Sequence, residues 1–289
     1  MNLTIENLSK TYPNGVKALQ DVSLTIGKGM FGLLGQNGAG KSTLMRTIAT
    51  LQDADSGTIY FNGIDVAKEP EKLRKTLGYL PQEFGVYPNV TAEELLSHIA
   101  DMKGIMQKGE RKDTVEALLQ KVNLYDARSK KLDGYSGGMK QRFGIAQALI
   151  GNPDLIIVDE PTAGLDPMER NRFYNLLSEL GENAVVILST HIVEDVSTLC
   201  TDMAIIGNGK VVLTGKPQEV EESLRGKLYE VPIRKEQLPD YQTNYKVISQ
   251  RFFAGKMMIT VLADDVPSGE FDAKAPSLED AYFKILSEN

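Results

Sequence analysis

The sequence predicts an α/β fold whose central mixed sheet contains buried parallel strands, and three patterns support this expectation. Residues 155–158 and 184–188 are continuous apolar runs, which is typical of parallel strands covered on both faces. Between them, residues 169–180 carry one apolar stripe at helical spacing. A third apolar run at 30–34 leads into a glycine-rich loop, and a helix-like stretch opens at Lys41.

The first 60 residues predict short strands separated by turns. Residues 3–5 and 22–26 alternate apolar with polar side chains, and the turn signal Asn14-Gly15 lies between them. Residues 58–61 are also strand-like, and another turn signal follows them. These patterns predict an N-terminal antiparallel β subdomain.

A helical subdomain is expected over about residues 83–150, because the apolar spacing becomes helical from 91 to about 149. Two stripes carry this pattern: Leu95, Ile99 and Met102, then Val115, Leu118, Leu119 and Val122. His98 lies in this stretch without a motif around it, and we interpret it as a structural or surface residue.

The character of the sequence changes near residues 217–226, which predicts a domain at 1–218 and a small C-terminal α/β accessory domain at 219–289. Strand-like pieces occur in the second region at 228–233, 246–249 and 257–262. A last helix is expected from Ser277, with Asp280 in a capping-box-like position. Because no titratable groups stand at catalytic spacing here, we expect a supporting or regulatory role, with simple structural padding as the alternative.

Composition excludes several classes of protein. Hydrophobic residues make up 42% and charged residues 25% of the chain, which argues against disorder. The net charge of -7 gives no general attraction to nucleic acid or anionic lipid, although it is compatible with a local basic patch. One Cys and two His exclude a disulfide framework and a Cys/His-rich zinc site. We interpret Cys200 as a small buried hydrophobe.

We expect neither a targeting segment nor a membrane segment in residues 1–289. Residues 1–6 lack the basic and apolar regions of a signal peptide. No apolar run approaches the roughly 18 residues that a membrane span needs. The glycosylation sequons at Asn2 and Asn89 are therefore interpreted as accidental, and we expect a soluble protein of a reducing compartment.

The clearest chemistry lies in a phosphate-loop motif that matches G-x-x-x-x-G-K-[ST] in full. It consists of Gly35, Gln36, Asn37, Gly38, Ala39, Gly40, Lys41 and Ser42, followed by Thr43. Glycines let the backbone wrap a phosphate, while successive N–H groups and the helix N-terminus supply positive potential. We expect Lys41 to reach the β and γ phosphates of a nucleotide and the Ser42 hydroxyl to bind Mg²⁺.

A second half of this site is predicted where the strand at 155–158 ends in Asp159 and Glu160. Asp159 is expected to hold Mg²⁺ through its water shell, since hard cations prefer oxygen ligands. Glu160 points elsewhere and is expected to polarise an attacking water as general base. An acidic pair after a strand is a weak signal alone, but together with the loop at 35–42 it predicts an NTPase.

The class of NTPase follows from Ser136, Gly137, Gly138, Met139, Lys140, Gln141 and Arg142, preceded by Tyr135. Here the chain resembles the ATP-binding cassette (ABC) family, whose signature is Leu-Ser-Gly-Gly-Gln, and the resemblance covers roughly residues 1–220. Other positions match family landmarks in order. Tyr12 matches the aromatic that stacks on adenine, Gln82 the glutamine that senses Mg²⁺ and touches the membrane partner, residues 163–166 the D-loop, and His191 the switch histidine.

Two departures from the consensus indicate a branch of the family. Tyr135 and Met139 replace the Leu and Gln of the signature. This variant is similar to the branch related to drug, lantibiotic and sodium export, and the ending at 277–283 is similar to that branch too. Ser136 and Gly138, which are expected to touch nucleotide, are retained.

The resemblance implies the ATP-binding and ATP-hydrolysing subunit of a membrane transporter, with export favoured over import. It implies a head-to-tail dimer, homomeric or heteromeric, that holds two ATP molecules between the phosphate loop of one protomer and Ser136, Gly137 and Gly138 of the other. Glu160 would activate water, with Lys41, His191 and Mg²⁺ stabilising the transferred phosphoryl group. A separate transmembrane permease is also implied, docked near residues 82–88, with this chain on the cytoplasmic face of the membrane.

Two alternatives come from other classes of ABC protein. Ribosome-acting factors carry two cassettes in one chain, whereas each motif occurs once here. DNA-repair ATPases need long coiled-coil arms, and the stretch from Lys41 to Tyr135 is short and has no heptad run. The acidic balance disfavours both, so no nucleic-acid partner is expected.

Overall fold

The computed structural model describes residues 1–82, 85, 89–162 and 166–288. Its strands are β1 (Asn2–Thr11), β2 (Lys17–Gly27), β3 (Gly29–Leu34), β4 (Ser56–Phe61), β5 (Ile64–Asp65), β6 (Leu77–Leu80), β7 (Leu155–Asp159), β8 (Val185–Thr190), β9 (Asp202–Gly207), β10 (Lys210–Gly215), β11 (Leu228–Ile233), β12 (Lys246–Phe253), β13 (Lys256–Leu262) and β14 (Asp272–Ala273). Its helices are α1 (Lys41–Ile48), α2 (Pro70–Thr76), α3 (Ala92–Met102), α4 (Lys108–Lys121), α5 (Gly137–Leu149), α6 (Pro167–Gly181), α7 (Val193–Leu199), α8 (Pro217–Glu222), α9 (Leu238–Asn244) and α10 (Leu278–Glu288).

The N-terminal strands form an antiparallel sheet in the order β2-β1-β4-β5. Its buried side chains alternate along β1 and β2, and Leu3 faces Ile26 while Ile5 faces Leu24 across the hairpin. The turn between the strands closes where Gly15 takes a left-handed φ of 84°, a conformation that glycine adopts without steric cost. The expected antiparallel β subdomain is therefore present.

The central sheet has the order β10-β9-β3-β8-β7-β6, and every neighbouring pair in it is parallel except β10 with β9. All residues of β7 and β8 are buried, as expected for parallel strands covered on both faces. The carboxyl ends of parallel strands meet at one edge of a sheet. The segments that follow β3, β6, β7 and β8 therefore lie together at that edge of the central sheet.

Side chains of the central strands alternate between two hydrophobic cores, since successive strand residues point to opposite faces. The core shared with α1 and the antiparallel sheet contains Phe31, Leu33, Leu155, Ile157, Val185 and Ile187. The core shared with the larger helices contains Met30, Leu34, Ile156, Val158, Val186 and Leu188. Each such buried aliphatic side chain contributes roughly 1.5–3 kcal/mol, so both layers hold the sheet in place.

The helical region contains α3, α4 and α5. Helix α3 begins at a capping box, in which Thr91 Oγ1 accepts from the Glu94 N–H (3.2 Å) and the Glu94 carboxylate accepts from the Thr91 N–H (2.9 Å). Leu95, Ile99 and Met102 all lie in α3, as their helical spacing predicts, and Met102 is 69% exposed. It is the last residue of α3, where the chain turns away at Gly104 (φ 93°). His98 is exposed, as a surface residue should be.

The C-terminal residues form a separate antiparallel sheet in the order β12-β13-β11-β14. Helix α10 begins at the predicted capping box, where the Asp280 carboxylate accepts from the Ser277 N–H (3.0 Å) and Ser277 Oγ accepts from the Asp280 N–H (3.3 Å). Helix α9 was not expected. Through α10, which contacts α7, α8 and β12, this region shares a hydrophobic core with the helices around the central sheet.

Candidate functional site

The phosphate-loop motif lies between β3 and α1, as the sequence predicts. Gly38 and Gly40 have φ values of 82° and 109°. At Gly40 a Cβ atom would lie 2.4 Å from the Ala18 carbonyl oxygen, so only glycine fits that close approach. The loop therefore presents its backbone N–H groups ahead of the first turn of α1, an arrangement suited to an anion.

The Lys41 side chain is 4% exposed and folds back onto the loop. Its Nζ donates to the carbonyls of Gly35 (2.7 Å) and Gln36 (3.1 Å), and it lies 3.4 Å from Glu160 Oε1. Burial lowers the pKa of Lys41, and the neighbouring Glu160 carboxylate opposes that effect. The ammonium is thus paired inside the protein and aimed at the loop.

Asp159 ends β7 and is 3% exposed. Among the described residues its Oδ1 has no hydrogen-bond partner. A buried carboxylate oxygen without a protein partner is costly unless water or a cation satisfies it. Together with the Ser42 hydroxyl and the Gln82 amide oxygen, Asp159 offers the hard oxygen ligands that suit Mg²⁺, so the residues present fit that ion.

Glu160 connects the phosphate loop to the segment after β8. Its backbone has a left-handed φ of 49°, and its N–H donates to the Ser189 carbonyl (2.8 Å). The carboxylate, 8% exposed, accepts through Oε2 from His191 Nδ1 (2.8 Å). Left-handed backbone at a non-glycine residue costs about 1–3 kcal/mol and is retained mostly where a side chain must be aimed.

An open cavity of about 390 Å³ brings most of the predicted nucleotide residues together. It is lined by Tyr12, Val16, Ala18, Asn37, Gly38, Gly40, Lys41, Ser42, Thr43, Gln82 and Glu160. The Tyr12 hydroxyl is 3.1 Å from Thr43 Oγ1, which fixes the aromatic ring beside the loop. We call these residues the phosphate-loop group.

Ser136, Gly137 and Gly138 are not part of that cavity; we call them the signature group. Ser136 is the N-cap of α5, and its Oγ accepts from the Met139 N–H (3.2 Å). Gly138 lies against α6, where an added Cβ atom would come within 1.5 Å of Glu169 Oε2. It lines a different cavity, together with Gln141, Arg142 and Glu169. One chain therefore keeps its two predicted nucleotide-contacting groups apart.

Two predicted segments fall partly outside the described residues. Of the D-loop match, 163–165 lie outside, while Asp166 is the N-cap of α6 and accepts from the Glu169 N–H (2.8 Å). Of the expected docking segment, Glu83, Phe84 and 86–88 lie outside, and Gln82 and Gly85 are described and exposed.

Sequence comparison decides the family. The sequence model described as "ABC transporter" matches residues 19–163. The ABC transporter ATP-binding protein YxlF of Bacillus subtilis is 34% identical to this chain, over 98% of the chain and 99% of the relative. The chain belongs to the ABC transporter family.

Two further proteins are informative about this ABC protein. The linearmycin resistance ATP-binding protein LnrL of Bacillus subtilis is 38% identical over 78% of this chain and 72% of its own length. The ATP-binding cassette MJ0796, solved as a dimer in a post-hydrolysis state with ADP and Pi, superposes with a TM-score of 0.68 at 28% identity. That match covers 74% of this chain and 98% of the cassette.

These findings confirm the family, the P-loop α/β fold of ABC type and the ATPase class. This chain is an ATP-binding subunit of an ABC transporter and an ATPase. The two named relatives are transporter and resistance proteins, which favours the transporter prediction over a ribosome- or DNA-acting ATPase. Among the described residues, no helix has the length and apolar character needed to cross a membrane.

Sequence reasoning missed one buried cluster of this ABC ATPase. Asp195 is fully buried in α7 and is hydrogen-bonded to Thr162, Arg170, Tyr174 and Thr190. An aspartate inside a short helix does not reveal partners that far away in the chain. The only available signal is its place four residues after His191.

Proposed function

We propose that this ABC ATPase hydrolyses ATP with Mg²⁺ in sites formed by two cassettes, and that this work drives export through a separate transmembrane subunit. The observation that carries the proposal is the contrast within one chain. The phosphate-loop group is assembled around one cavity, whereas no residue of the signature group lines that cavity and Gly138 lines another. A head-to-tail dimer would place each signature group opposite the partner's phosphate loop. The dimeric MJ0796 cassette with ADP and Pi supports this arrangement.

In this proposal the backbone of residues 35–43 cradles the phosphates and Tyr12 stacks on the adenine. Ser42, Gln82 and Asp159 would hold Mg²⁺, which supplies charge neutralisation on the phosphate oxygens. The unpartnered Asp159 Oδ1 supports this assignment.

Lys41 would change partners when ATP arrives. Without nucleotide its ammonium contacts the Gly35 carbonyl and Glu160 Oε1. Phosphate oxygens are stronger acceptors than a carbonyl, so the ammonium is expected to move to the β and γ phosphates. This exchange releases Glu160 Oε1, which can then accept a proton from the attacking water. His191, already bonded to Glu160 Oε2, would then stabilise charge on the γ-phosphoryl group.

The membrane partner would dock near residues 82–88, with this chain peripheral on the cytoplasmic face. Gln82 links that surface to the nucleotide, because it lines the phosphate-loop cavity itself. The name of the relative LnrL, a resistance protein, supports export as the direction.

Site-directed cross-linking tests the partner. Gly85 is exposed and the native Cys200 is buried, so a Gly85→Cys variant presents one accessible thiol among the described residues. Burial also raises the pKa of the Cys200 thiol, which keeps it unreactive. We expect membranes from cells that express the native transporter to yield a cross-link to a multi-span protein. Cross-links to soluble proteins alone would contradict the docking proposal.

We also propose the division into a nucleotide-binding domain at 1–218, with a helical subdomain at about 83–150, and an accessory domain at 219–289. The support is a separate hydrophobic cluster on one face of the last sheet: Tyr229, Val231, Ile233, Met257, Ile259 and Val261. On the opposite side, Leu278 and Tyr282 of α10 belong to the core around the central sheet. A chain ending near Gly226 should therefore lose stability. Normal folding, dimerisation and transport by that chain would leave no supporting or regulatory role.

A further inference from the structure

The carboxylate of Asp195 is the most completely buried charge outside the phosphate-loop group, with 0% of the residue exposed. Its Oδ2 accepts from Thr162 Oγ1 (2.7 Å) and from Thr190 Oγ1 (3.0 Å). Its Oδ1 accepts from the Tyr174 hydroxyl and the Arg170 guanidinium. These four donors, one of which is a guanidinium, satisfy both oxygens of the buried carboxylate.

Two of the four donors belong to segments that carry proposed catalytic residues. Thr162 comes two residues after Glu160, and Thr190 comes directly before His191. Arg170 and Tyr174 lie on α6. The Asp195 carboxylate therefore joins, at one point, the chain beyond Glu160 and the chain before His191.

The segment at His191 is fixed from a second side. Thr190 Oγ1 donates to Asp195 and also accepts from the Ile192 N–H (2.9 Å). His191 lies between Thr190 and Ile192, which these hydrogen bonds hold, and it makes a 2.8 Å hydrogen bond to Glu160. Moving either threonine would thus shift the two side chains relative to each other.

A purely stabilising role explains this cluster less well. Buried ion pairs often contribute no more stability than well-packed apolar residues of the same size. Their better-attested value is to select one arrangement of the chain. Here, that arrangement sets the spacing of Glu160 and His191.

We propose that Asp195 is a positioning residue for hydrolysis. Through the hydroxyls of Thr162 and Thr190, it holds the side chains of Glu160 and His191 at the spacing seen in the structure. The inference rests on the proposed roles of Glu160 and His191. None of the four cluster partners lines the phosphate-loop cavity, so loss of the cluster should lower kcat and leave ATP affinity unchanged. Misplacement of reacting groups by about 1 Å costs up to about a hundredfold in rate, so we expect a fall of about tenfold to a hundredfold.

Matched variants of the full-length chain separate positioning from stability. Thr162→Val and Thr190→Val keep the shape of the side chain and remove the hydroxyl, whereas Thr162→Ser and Thr190→Ser retain it. Tyr174→Phe is the control, because it removes a buried hydroxyl from the same carboxylate on the α6 side. We expect both valine variants to lose kcat, both serine variants to keep it, and Tyr174→Phe to lose stability only.

Rates are counted per molecule that binds a fluorescent ATP analogue, so poorly folded protein does not imitate a catalytic loss. If one valine variant does not fold, the pair at the other threonine supplies the same test. Backbone hydrogen exchange without nucleotide gives a second measurement. Exchange should rise at 189–192 in Thr162→Val, since both hydroxyls share one carboxylate, and should stay at the parent level in Tyr174→Phe.

Three results would overturn the positioning role: parent kcat in both valine variants, serine variants as slow as the valine variants, or an equal loss of kcat in Tyr174→Phe. Glu160→Gln, measured beside them, tests the foundation separately. If Glu160→Gln hydrolyses ATP at the parent rate, the proposed catalytic centre fails. If Glu160→Gln is slow and the valine variants are not, only the role of Asp195 fails.

Discussion

The phosphate-loop group and the signature group differ in how much of a site one chain completes. Around the phosphate loop, segments that follow β3, β6 and β7 converge on one cavity, and Lys41, Glu160 and His191 are already linked. At the N-terminus of α5, Ser136 is the N-cap and two glycines follow it, and none of the phosphate-loop residues lines the cavity at Gly138. The first group is assembled within one chain, and we propose that the second group is completed by a second chain.

This contrast follows from topology. Parallel strands bring distant segments to one sheet edge, so the phosphate-loop group forms wherever the sheet forms. The signature group depends on a helix that packs beside that sheet with its N-terminus directed elsewhere. A helix N-terminus attracts anions, and a second chain can supply one.

The largest expected effect is the loss of ATP hydrolysis when the proposed general base, Glu160, is substituted. Glu160→Gln keeps the size of the side chain and its hydrogen bond to His191, but the amide cannot accept the proton of water. Loss of a positioned base costs about a hundredfold to ten-thousandfold in rate, or roughly 3–5 kcal/mol. ATP binding should persist, and size-exclusion chromatography with ATP and Mg²⁺ should show an accumulated dimer. Hydrolysis at the parent rate would remove Glu160 from the centre.

Substitution of Lys41 should lower the affinity for ATP more than substitution of Glu160 does. Lys41→Met keeps the length of the side chain and removes the charge that Gly35, Gln36 and Glu160 now surround. Hydrogen bonds to charged groups contribute about 1.5–3 kcal/mol, so ATP affinity should fall by about tenfold to a hundredfold. Titration with a fluorescent ATP analogue measures this, with Glu160→Gln as the matched control that retains affinity. Equal affinity in the two variants would contradict the role of Lys41.

A group of residues could be predicted from the sequence when its members lie close together in the chain, and not when they lie far apart. The motif at 35–42 and the acidic pair after β7 are local patterns, and the structure places them as expected. The role of Ser136 came from family resemblance, because nothing local distinguishes a ligand from a helix cap. The Asp195 cluster was missed, since its partners lie between 5 and 33 residues away in the chain.

Local patterns also leave some features of the structure unpredicted. Helix α9 is one such feature, and Pro239 lies in its first turn, where a missing N–H breaks no hydrogen bond. Met102 keeps the helical spacing of α3 but lies at its end, beyond the packed face. Periodicity states which face of a helix is apolar and not how far the neighbouring elements extend.

A smaller effect is expected at Ser136, where two substitutions separate its role as a helix cap from its proposed contact with nucleotide. Ser136→Ala removes the cap of α5, which typically costs about 1 kcal/mol, whereas Ser136→Asp keeps a good cap and adds negative charge. We expect chemical denaturation to show the loss of stability in Ser136→Ala only. Ser136→Asp should be as stable as the parent but fail to form the ATP-bound dimer, because its carboxylate repels phosphate. A dimer of normal affinity in Ser136→Asp would show that the signature group meets no nucleotide.

Mixing two inactive chains tests the comparison most directly. A Lys41→Met chain keeps its signature group, and a Ser136→Asp chain keeps its phosphate-loop group, so a heterodimer of the two contains one intact composite site and one doubly defective site. Because each heterodimer contains one intact site, part of the parent activity should return on mixing if the sites act independently. Each variant alone should stay near the background rate, and adding Ser136→Asp to a second Ser136→Asp preparation is the matched control. If the mixture hydrolyses no more ATP than the two variants do separately, the signature group does not complete a partner's site. If each variant alone keeps high activity, one chain holds a complete site, and the separation of the two groups has no catalytic meaning.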